Sequence, residues 1–189
     1  MYTFRELIAG DLYRYEAKCT VKAFFHAYCR YEGFRFSVWL RSCSCARRNR
    51  ITKVLFMPVL RMLYNHYRYK YGYDISYGVE IGPGLLLLHF GGVVLTARSV
   101  GKNFTISHGT TVGMKLYDGK KVFPKLGNGI YMAPGSKIIG DVEIGNNVAV
   151  GTNAVVLESV PDNCVVVGIP GRVVSQQGAG EYVPNRIHW

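Results

Sequence analysis

Acidic residues are scarce in this 189-residue chain, which carries 12 Asp and Glu against 23 Lys and Arg. The shortage lies at the front of the chain. Residues 1–73 hold 14 bases and 4 acids, a net charge of +10 (14 − 4), whereas residues 74–189 hold 9 bases and 8 acids, a net charge of +1. This asymmetry argues against an acidic interaction tail and favours an anionic partner for the front third.

Long apolar runs and cysteine pairs are also missing. No stretch reaches the roughly 18 uninterrupted apolar residues that a membrane-spanning helix needs. Residues 1–18 mix acids with bases and contain no apolar core, so we expect no signal peptide. None of the five cysteines forms a CxxC pair, which favours reduced thiols in a cytoplasmic protein over a disulfide framework.

The front third is predicted to be a basic α-helical segment, residues 1–73. Apolar and aromatic residues recur there at helical spacing, and Pro58 is expected either to kink a helix or to mark its entry turn. Tyrosines alternate with Lys and Arg over residues 64–73. That mixture fits an anionic membrane surface or a solvated basic face over an aromatic core. No nucleic-acid motif accompanies it, so we expect no nucleic-acid partner.

The rest of the chain is built on a six-residue repeat. An aliphatic residue recurs with this period, skips one residue after position 93, and resumes after an interruption at residues 113–125. The thirteen positions are Ile75, Ile81, Leu87, Val93, Val100, Ile106, Val112, Leu126, Met132, Ile138, Ile144, Val150 and Val156. Glycine often follows the aliphatic residue, and a small or β-branched residue often stands four positions after it.

This repeat predicts a mainly β fold, a left-handed parallel β-helix with a helical N-terminal segment. Three hexads make one coil of about 18 residues, with the aliphatics stacked inside and the glycines at corners. Recurrent Gly and Asn argue against helices, and a period of six argues against a sandwich. We therefore expect a domain at residues 74–175 with an inserted loop at 113–125, and a C-terminal tail at 176–189.

The hexads, together with the blocks GPGLLLLHFGGVV (82–94), SHGTTVG (107–113) and VVVGIPGRVV (165–174), resemble the hexapeptide-repeat acyltransferases. Within them the chain resembles the serine acetyltransferase branch, and especially short bacterial exopolysaccharide O-acetyltransferases. The resemblance covers about residues 34–175 and implies an acetyl-CoA-dependent acetyltransferase.

The resemblance also implies roles for individual residues. His89 occupies the place of the family's catalytic base, and Asp74, 15 residues earlier, that of the carboxylate which orients it. A histidine suits this role because its ordinary pKa lies near neutrality. His108 could lie one coil from His89 and bind the acceptor, or simply fill a corner. The related metal-binding proteins need a third imidazole and a close histidine pair, so we expect no metal.

The acceptor is expected to be a saccharide hydroxyl. Serine enzymes carry an acid before the catalytic histidine, where this chain has Leu88, and Arg-His in the inserted loop, where it has Val122-Phe123. A zwitterionic amino acid would leave charges unpaired there, whereas Phe123 could stack on a sugar ring. Serine O-acetylation is the alternative reading, a sugar-amine acetyltransferase stays open, and a non-catalytic β-helical scaffold is a further alternative.

The donor is expected to be acetyl-CoA, lying in a groove between neighbouring subunits of a homotrimer. The positions that match the family's donor groove are Gly113, Ala133, Pro134, Gly151 and Thr152, with Lys137 and Arg172 as candidates for phosphate contact. We expect a cytoplasmic enzyme of surface polysaccharide biosynthesis, with the basic segment against the inner face of the membrane.

Overall fold

The computed structural model describes residues 2–188. Its first part is helical, with α1 at Phe4–Glu16, α2 at Val21–Arg30, α3 at Glu32–Ala46 and α4 at Arg50–Tyr71. Asn49 caps α4, and Pro58 lies inside that helix and does not begin it. The sequence thus placed the helical segment correctly but left the role of the proline open.

Short strands follow from residue 73. They are β1 (Tyr73–Ile75), β2 (Glu80–Ile81), β3 (Leu86–Leu88), β4 (Val93–Leu95), β5 (Ser99–Val100), β6 (Thr105–Ser107), β7 (Thr111–Gly113), β8 (Lys115–Tyr117), β9 (Lys120–Val122), β10 (Lys125–Leu126), β11 (Tyr131–Met132), β12 (Lys137–Ile139), β13 (Glu143–Ile144), β14 (Ala149–Val150), β15 (Val155–Val156), β16 (Val165–Val167) and β17 (Arg172–Ser175). A short 3₁₀ turn lies at Gly180–Tyr182.

The strands form the three faces of a β-solenoid. Face 1 consists of β1, β4, β7, β12 and β15, face 2 of β2, β5, β10 and β13, and face 3 of β3, β6, β11, β14 and β16. Neighbours within each face are parallel. The chain visits the faces in turn, so each circuit is one coil. β17 pairs antiparallel with β16 and ends the stack.

A column of aliphatic side chains fills the solenoid, as the hexads predict. All thirteen predicted positions are buried, and none is more than 6% exposed. One register differs, because Leu95 and not Val93 pairs with Ile75 and Val112 on face 1. From Leu87 to Leu95 is eight residues, where a hexad has six. The extra residues therefore lie in the turn after β3, earlier than the sequence placed them.

Close approach of the coils explains the glycine that follows many of the aliphatics. A Cβ atom on Gly101 would lie 2.5 Å from the Gly127 carbonyl oxygen, and one on Gly127 would lie 2.7 Å from that of Gly145. Side chains would therefore push the coils apart at this corner. Asparagine side chains hold the same corner, where the Asn146 Oδ1 accepts from the Asn128 backbone N–H at 2.9 Å.

The inserted segment and the tail both differ from simple loops. The interruption at 113–125 contains an antiparallel hairpin of β8 and β9, with left-handed Asp118 and Gly119 at its turn. Such a dipeptide suits a two-residue hairpin. The tail returns to the body of the protein, because Asn103 Nδ2 donates to the Ile187 carbonyl at 3.0 Å.

A buried ion pair joins the helices to the first coil. Arg41 on α3 contacts both carboxylate oxygens of Asp11 on α1, at 2.9 and 3.0 Å, and both side chains are at most 2% exposed. The Asp11 Oδ1 also accepts from the backbone N–H groups of Gly84 and Leu85, at 3.0 and 2.8 Å. Arg41 in turn donates to the carbonyls of Ile81 and Gly82. All of the polar groups are thus satisfied without water.

Replacement of Asp11 should be severe. Asp11→Ala leaves the Arg41 guanidinium buried without a counter-charge, so we expect a loss of about 3–5 kcal/mol in the free energy of unfolding. Urea denaturation followed by circular dichroism measures this loss. Asp141→Ala is the matched control, because its ion pair with Arg98 is exposed and is expected to contribute about 1 kcal/mol or less. Equal losses in the two variants would contradict this account.

Candidate active site

His89 stands in the elongated turn between β3 and β4. Its backbone is left-handed, with φ of 59°, a conformation that non-glycine residues adopt mainly where the surroundings enforce it. The enforcing contacts are visible. The Tyr73 hydroxyl donates to the His89 carbonyl at 2.9 Å, and the Gly91 N–H donates to the Tyr71 carbonyl at 2.9 Å. The turn is therefore anchored to the junction of α4 and β1, while the imidazole itself is exposed.

His108 lies directly beside His89 on the next coil. The ring centroids are 5.5 Å apart and the rings are nearly perpendicular, at 83°. The register explains the contact, since β3 and β6 pair with Leu88 opposite Ser107. The expectation that the histidines are one coil apart is confirmed, and the role of His108 stays a proposal.

The turns that connect face 3 to face 1 stack into one edge of the solenoid, which we call the histidine edge: residues 89–92, 108–110, 133–136 and 151–154. Backbone hydrogen bonds link successive turns, from Gly109 N to Gly91 O, from Gly135 N to His108 O, and from Asn153 N to Pro134 O, at 2.9 to 3.0 Å. Four of the predicted donor-groove residues belong to this edge, namely Ala133, Pro134, Gly151 and Thr152. Sequence matching therefore located one continuous surface.

The other predicted donor contacts are placed differently. Lys137 donates its ammonium protons to the carbonyls of Gly109 and Gly135, so it braces the histidine edge and is not presented to solvent for a phosphate. Arg172 is exposed and lies 3.6 Å from the Glu158 carboxylate. Gly113 ends β7 at the opposite side of face 1. The prediction that Lys137 contacts phosphate needs correction, because its charge is already used within the chain.

Asp74 does not contact His89 in the single chain. Its carboxylate accepts from Arg68 Nε and Nη2 at 3.1 and 2.6 Å, and within residues 2–188 no hydrogen bond joins it to His89. The expected proximity rested on a coil of about 18 residues, whereas Asp74 pairs with Val94 across a coil of 20 residues. The longer turn carries His89 to the corner before the strand that faces Asp74.

A cavity of about 470 Å³ opens beside His89, within the range of small-molecule sites. Leu88 and Phe90 line one side, and Glu32 at the start of α3 lines another. The sequence analysis did not single out Glu32, because no motif marks it and only the packing of α3 on β3 brings it to the cavity. Leu88 does lie at the site, as expected, and is half-buried.

Arg14 also lines this cavity, yet its charge is spent within the fold. The guanidinium donates to the carbonyls of Pro184 and Gly84 at 2.7 and 2.9 Å, and to the Thr105 hydroxyl at 2.6 Å. Burial lowers the pKa of Arg14 to about 10, which still leaves it charged at neutral pH. It joins α1, the first coils and the tail, and has little capacity left for a bound anion.

Phe123 is separated from His89 within one chain. It follows the β8–β9 hairpin, whose Val122 lines a different cavity together with Ile139 and Leu157. The histidines precede the strands of face 1, whereas the hairpin leaves from the end of that face at β7. The predicted pairing of Leu88 with Phe123 in one acceptor pocket is therefore not assembled by a single copy.

Neither metal-binding nor disulfide chemistry is built into this part of the molecule. Across the described residues 2–188, no group of three or more His, Cys, Asp and Glu side chains is arranged to hold a metal ion. The five cysteines are free thiols. Burial raises the pKa of the Cys43 thiol to about 11, so it remains protonated at neutral pH.

Comparison with known proteins places this site in context. Over 119 residues, which are 62% of this chain and 56% of the relative, the chain is 41% identical to a serine acetyltransferase of Staphylococcus epidermidis. Over 112 residues, 59% of this chain and 53% of the relative, it is 40% identical to one of Staphylococcus aureus. The chain is similar to serine acetyltransferases. It spans about half the length of these curated relatives, and no protein-family model matches it.

Solved structures give the same result for the fold. A serine acetyltransferase from Brucella abortus superposes with a TM-score of 0.74 and 26% identity, covering 91% of this chain and 69% of that chain. The soybean serine acetyltransferase apoenzyme superposes with a TM-score of 0.75 and 29% identity, covering 90% and 69%. The resemblance to serine acetyltransferases is supported, whereas none of these proteins is an exopolysaccharide O-acetyltransferase.

The hydrogen bond from Tyr73 should control the order of the His89 turn. Burial, with Glu32 nearby, raises the pKa of Tyr73, so its hydroxyl stays a proton donor. Tyr73→Phe removes a bond that contributes about 1 kcal/mol, and amide exchange at residues 89–93 should become about fivefold faster. Tyr64→Phe is the matched control, because the buried Tyr64 hydroxyl donates to the Ile75 carbonyl at 2.7 Å. Hydrogen–deuterium exchange mass spectrometry distinguishes the two; equal exchange of this turn in wild type and Tyr73→Phe would refute the assignment.

Proposed function

We propose that this protein is an acetyl-CoA-dependent O-acetyltransferase and that serine is its acceptor. The observation that carries the proposal is the exposed His89–His108 pair, at a ring distance of 5.5 Å, on an edge otherwise made of small turn residues. The similarity to serine acetyltransferases supports both the reaction and this acceptor. Serine, the alternative in the sequence analysis, is therefore favoured over the saccharide that was placed first.

The proposed reaction uses His89 as the general base. The imidazole takes the proton of the acceptor hydroxyl as its oxygen attacks the thioester carbonyl, and collapse of the tetrahedral intermediate breaks the C–S bond. The thiolate of coenzyme A leaves and recovers a proton, so the products are the acetyl ester and free thiol. Asp74 stays the carboxylate proposed to orient His89, a role that requires its side chain to turn from Arg68.

Acetyl-CoA is proposed to lie along the histidine edge. Its turns at Ala133–Pro134 and Gly151–Thr152 offer little side-chain bulk, which suits a narrow slot for the pantetheine arm. A homotrimer is proposed because Phe123 lies away from His89 in one chain, so that a neighbouring copy could bring its hairpin to the cavity. The reaction also fits a cytoplasmic protein, since acetyl-CoA is its donor.

Substitution of His89 tests the reaction itself. His89→Ala should lower the rate of thiol release from acetyl-CoA in the presence of serine by about 10²–10⁴-fold, the usual contribution of a general base. Asp74→Asn should also lower the rate, with a smaller effect if the carboxylate only orients the ring. His26→Ala is the control, because His26 is an exposed histidine paired with Glu16 on the helices. Equal rates in wild type and His89→Ala would exclude His89 as the base.

A saccharide acceptor is the second candidate, and the lining of the cavity favours it. Serine carries an ammonium and a carboxylate. Glu32 can meet the ammonium, but Arg14, apart from His89 the only basic side chain of the lining, already donates to three groups of the fold. Leu88 adds an apolar wall next to His89. An uncharged hydroxyl compound would need no counter-charges here.

A charge reversal at this wall distinguishes the two acceptors. Leu88→Asp places a carboxylate beside His89, so kcat/KM for serine should rise about tenfold relative to a panel of neutral saccharides. Leu88→Asn is the matched control of the same shape without the charge. If wild type already releases thiol with serine alone, the saccharide reading is wrong. If no acceptor supports release and acetyl-CoA does not bind, the protein is a scaffold.

A further inference from the structure

Helix α4 exposes a continuous apolar stripe, although it belongs to a folded domain. We call this surface the α4 stripe. Its members are between 57% and 74% exposed: Ile51, Val54, Leu55, Val59, Met62 and Tyr69. Their spacings of three, four and seven residues place them along one side of the helix. Side chains of this kind are rarely left in water as a contiguous patch without a binding role.

The core does not require these residues to be apolar. The opposite side of α4 packs on the body of the protein, where Tyr64 and Tyr71 are buried. Tyr67 stacks on Trp39 of α3, with ring centroids 6.2 Å apart. The helix therefore has one side that holds the fold together and a second side, equally apolar, that packs against nothing within the chain.

The charge around the stripe is of one sign. Between Glu32 and Asp74 the chain has nine Lys and Arg and no acid. Arg50, Lys53 and Arg61 of α4 are exposed, and no salt bridge to a carboxylate is formed by any of them within residues 2–188. Arg50 and Arg61 are 11 residues apart, about three helical turns, so both lie along the same border of the stripe.

We propose that α4 is an interfacial helix that lies in the plane of an anionic lipid membrane. Its apolar stripe would enter the boundary between headgroups and acyl chains, and the flanking cations would contact lipid phosphates. Twenty-two residues give a helix about 33 Å long, enough for contact with several headgroups. No helix among the described residues is long and apolar enough to span a bilayer.

The charge pattern disfavours the other occupants of such a surface. A second copy of the chain, paired through the same face, would bring Arg50, Lys53 and Arg61 against their own equivalents with no acid on either side. A nucleic acid would use the cations, but five of the six stripe residues are aliphatic and offer no ring for base stacking. Anionic lipid alone uses both the aliphatic stripe and its basic border.

The location of the stripe also links the membrane to the candidate active site. Helix α4 runs directly into β1, and the carbonyls of Tyr71 and Gly72 accept from the Gly91 and Val93 N–H groups, at 2.9 and 3.1 Å. The turn that carries His89 is thus hydrogen-bonded to the end of the proposed membrane helix. Binding through α4 would hold the histidine edge at a fixed position relative to the lipid surface.

Vesicle flotation with the full chain tests the proposal. The probes are vesicles of phosphatidylcholine alone and vesicles that also contain phosphatidylglycerol. We expect flotation only with the anionic vesicles, and its loss at about 1 M salt, where the Debye length falls to about 3 Å. Arg50→Gln/Arg61→Gln should weaken the partition coefficient about 25-fold, about fivefold for each cation. Leu55→Gln/Met62→Gln should weaken it about tenfold or more.

Matched controls separate this surface from general stickiness. Lys120→Gln/Lys121→Gln removes the same charge from the exposed β8–β9 hairpin, and Leu116→Gln/Leu157→Gln removes two exposed leucines elsewhere; both should float like wild type. Circular dichroism melting verifies that every variant is folded. Equal flotation with neutral vesicles would overturn the proposal, as would no flotation at low salt. A drop in molar mass of Leu55→Gln/Met62→Gln by light scattering, without any lipid binding, would assign the stripe to a second copy instead.

Discussion

Parallel stacking of coils is the constraint on which the rest of this structure depends. Each coil must place an inward aliphatic residue over the one beneath it, as Ile81, Val100, Leu126 and Ile144 do on face 2, because the core consists only of these nearest-neighbour contacts. Extra residues cannot enter the column and are expelled at the corners. The two major departures from the repeat are the His89 turn and the β8–β9 hairpin, and both are surface features. Candidate functional groups therefore lie where the repeat is broken.

The helical segment completes the site as well as covering the first coil. The buried Asp11–Arg41 pair fixes α1 and α3 against β2 and β3, and Arg14 ties the tail to the same region. A buried ion pair gains little over apolar packing, but the loss of one partner is costly, so this arrangement specifies a single docking of helices on solenoid. That docking brings Glu32 to the cavity beside His89. The solenoid supplies the histidines, and the helices supply the wall opposite.

The uneven charge of the chain acquires a structural meaning in α4. Of the nine cations between Glu32 and Asp74, Arg41 is consumed inside the fold and Arg68 holds Asp74, while Arg50, Lys53 and Arg61 remain on the surface beside apolar side chains. A solvated basic face over an aromatic core, the plain interpretation of the sequence, accounts for the tyrosines that pack on Trp39 and Phe36. It does not account for exposed Ile51, Val54 and Leu55. The two interpretations therefore describe opposite sides of one helix.

The sequence by itself determined the solenoid, its thirteen inward positions and the adjacency of His89 and His108, because a six-residue period is local and each hexad repeats the same geometry. It also determined the short acid supply of the front third. Only the tertiary structure decided that Asp74 serves Arg68, that Lys137 braces the histidine edge, and that Glu32 reaches the cavity. Those outcomes depend on contacts between segments far apart in the chain, and on a turn two residues longer than the hexad. Periodicity fixes what recurs, whereas the chemistry of this protein depends on the residues that interrupt it.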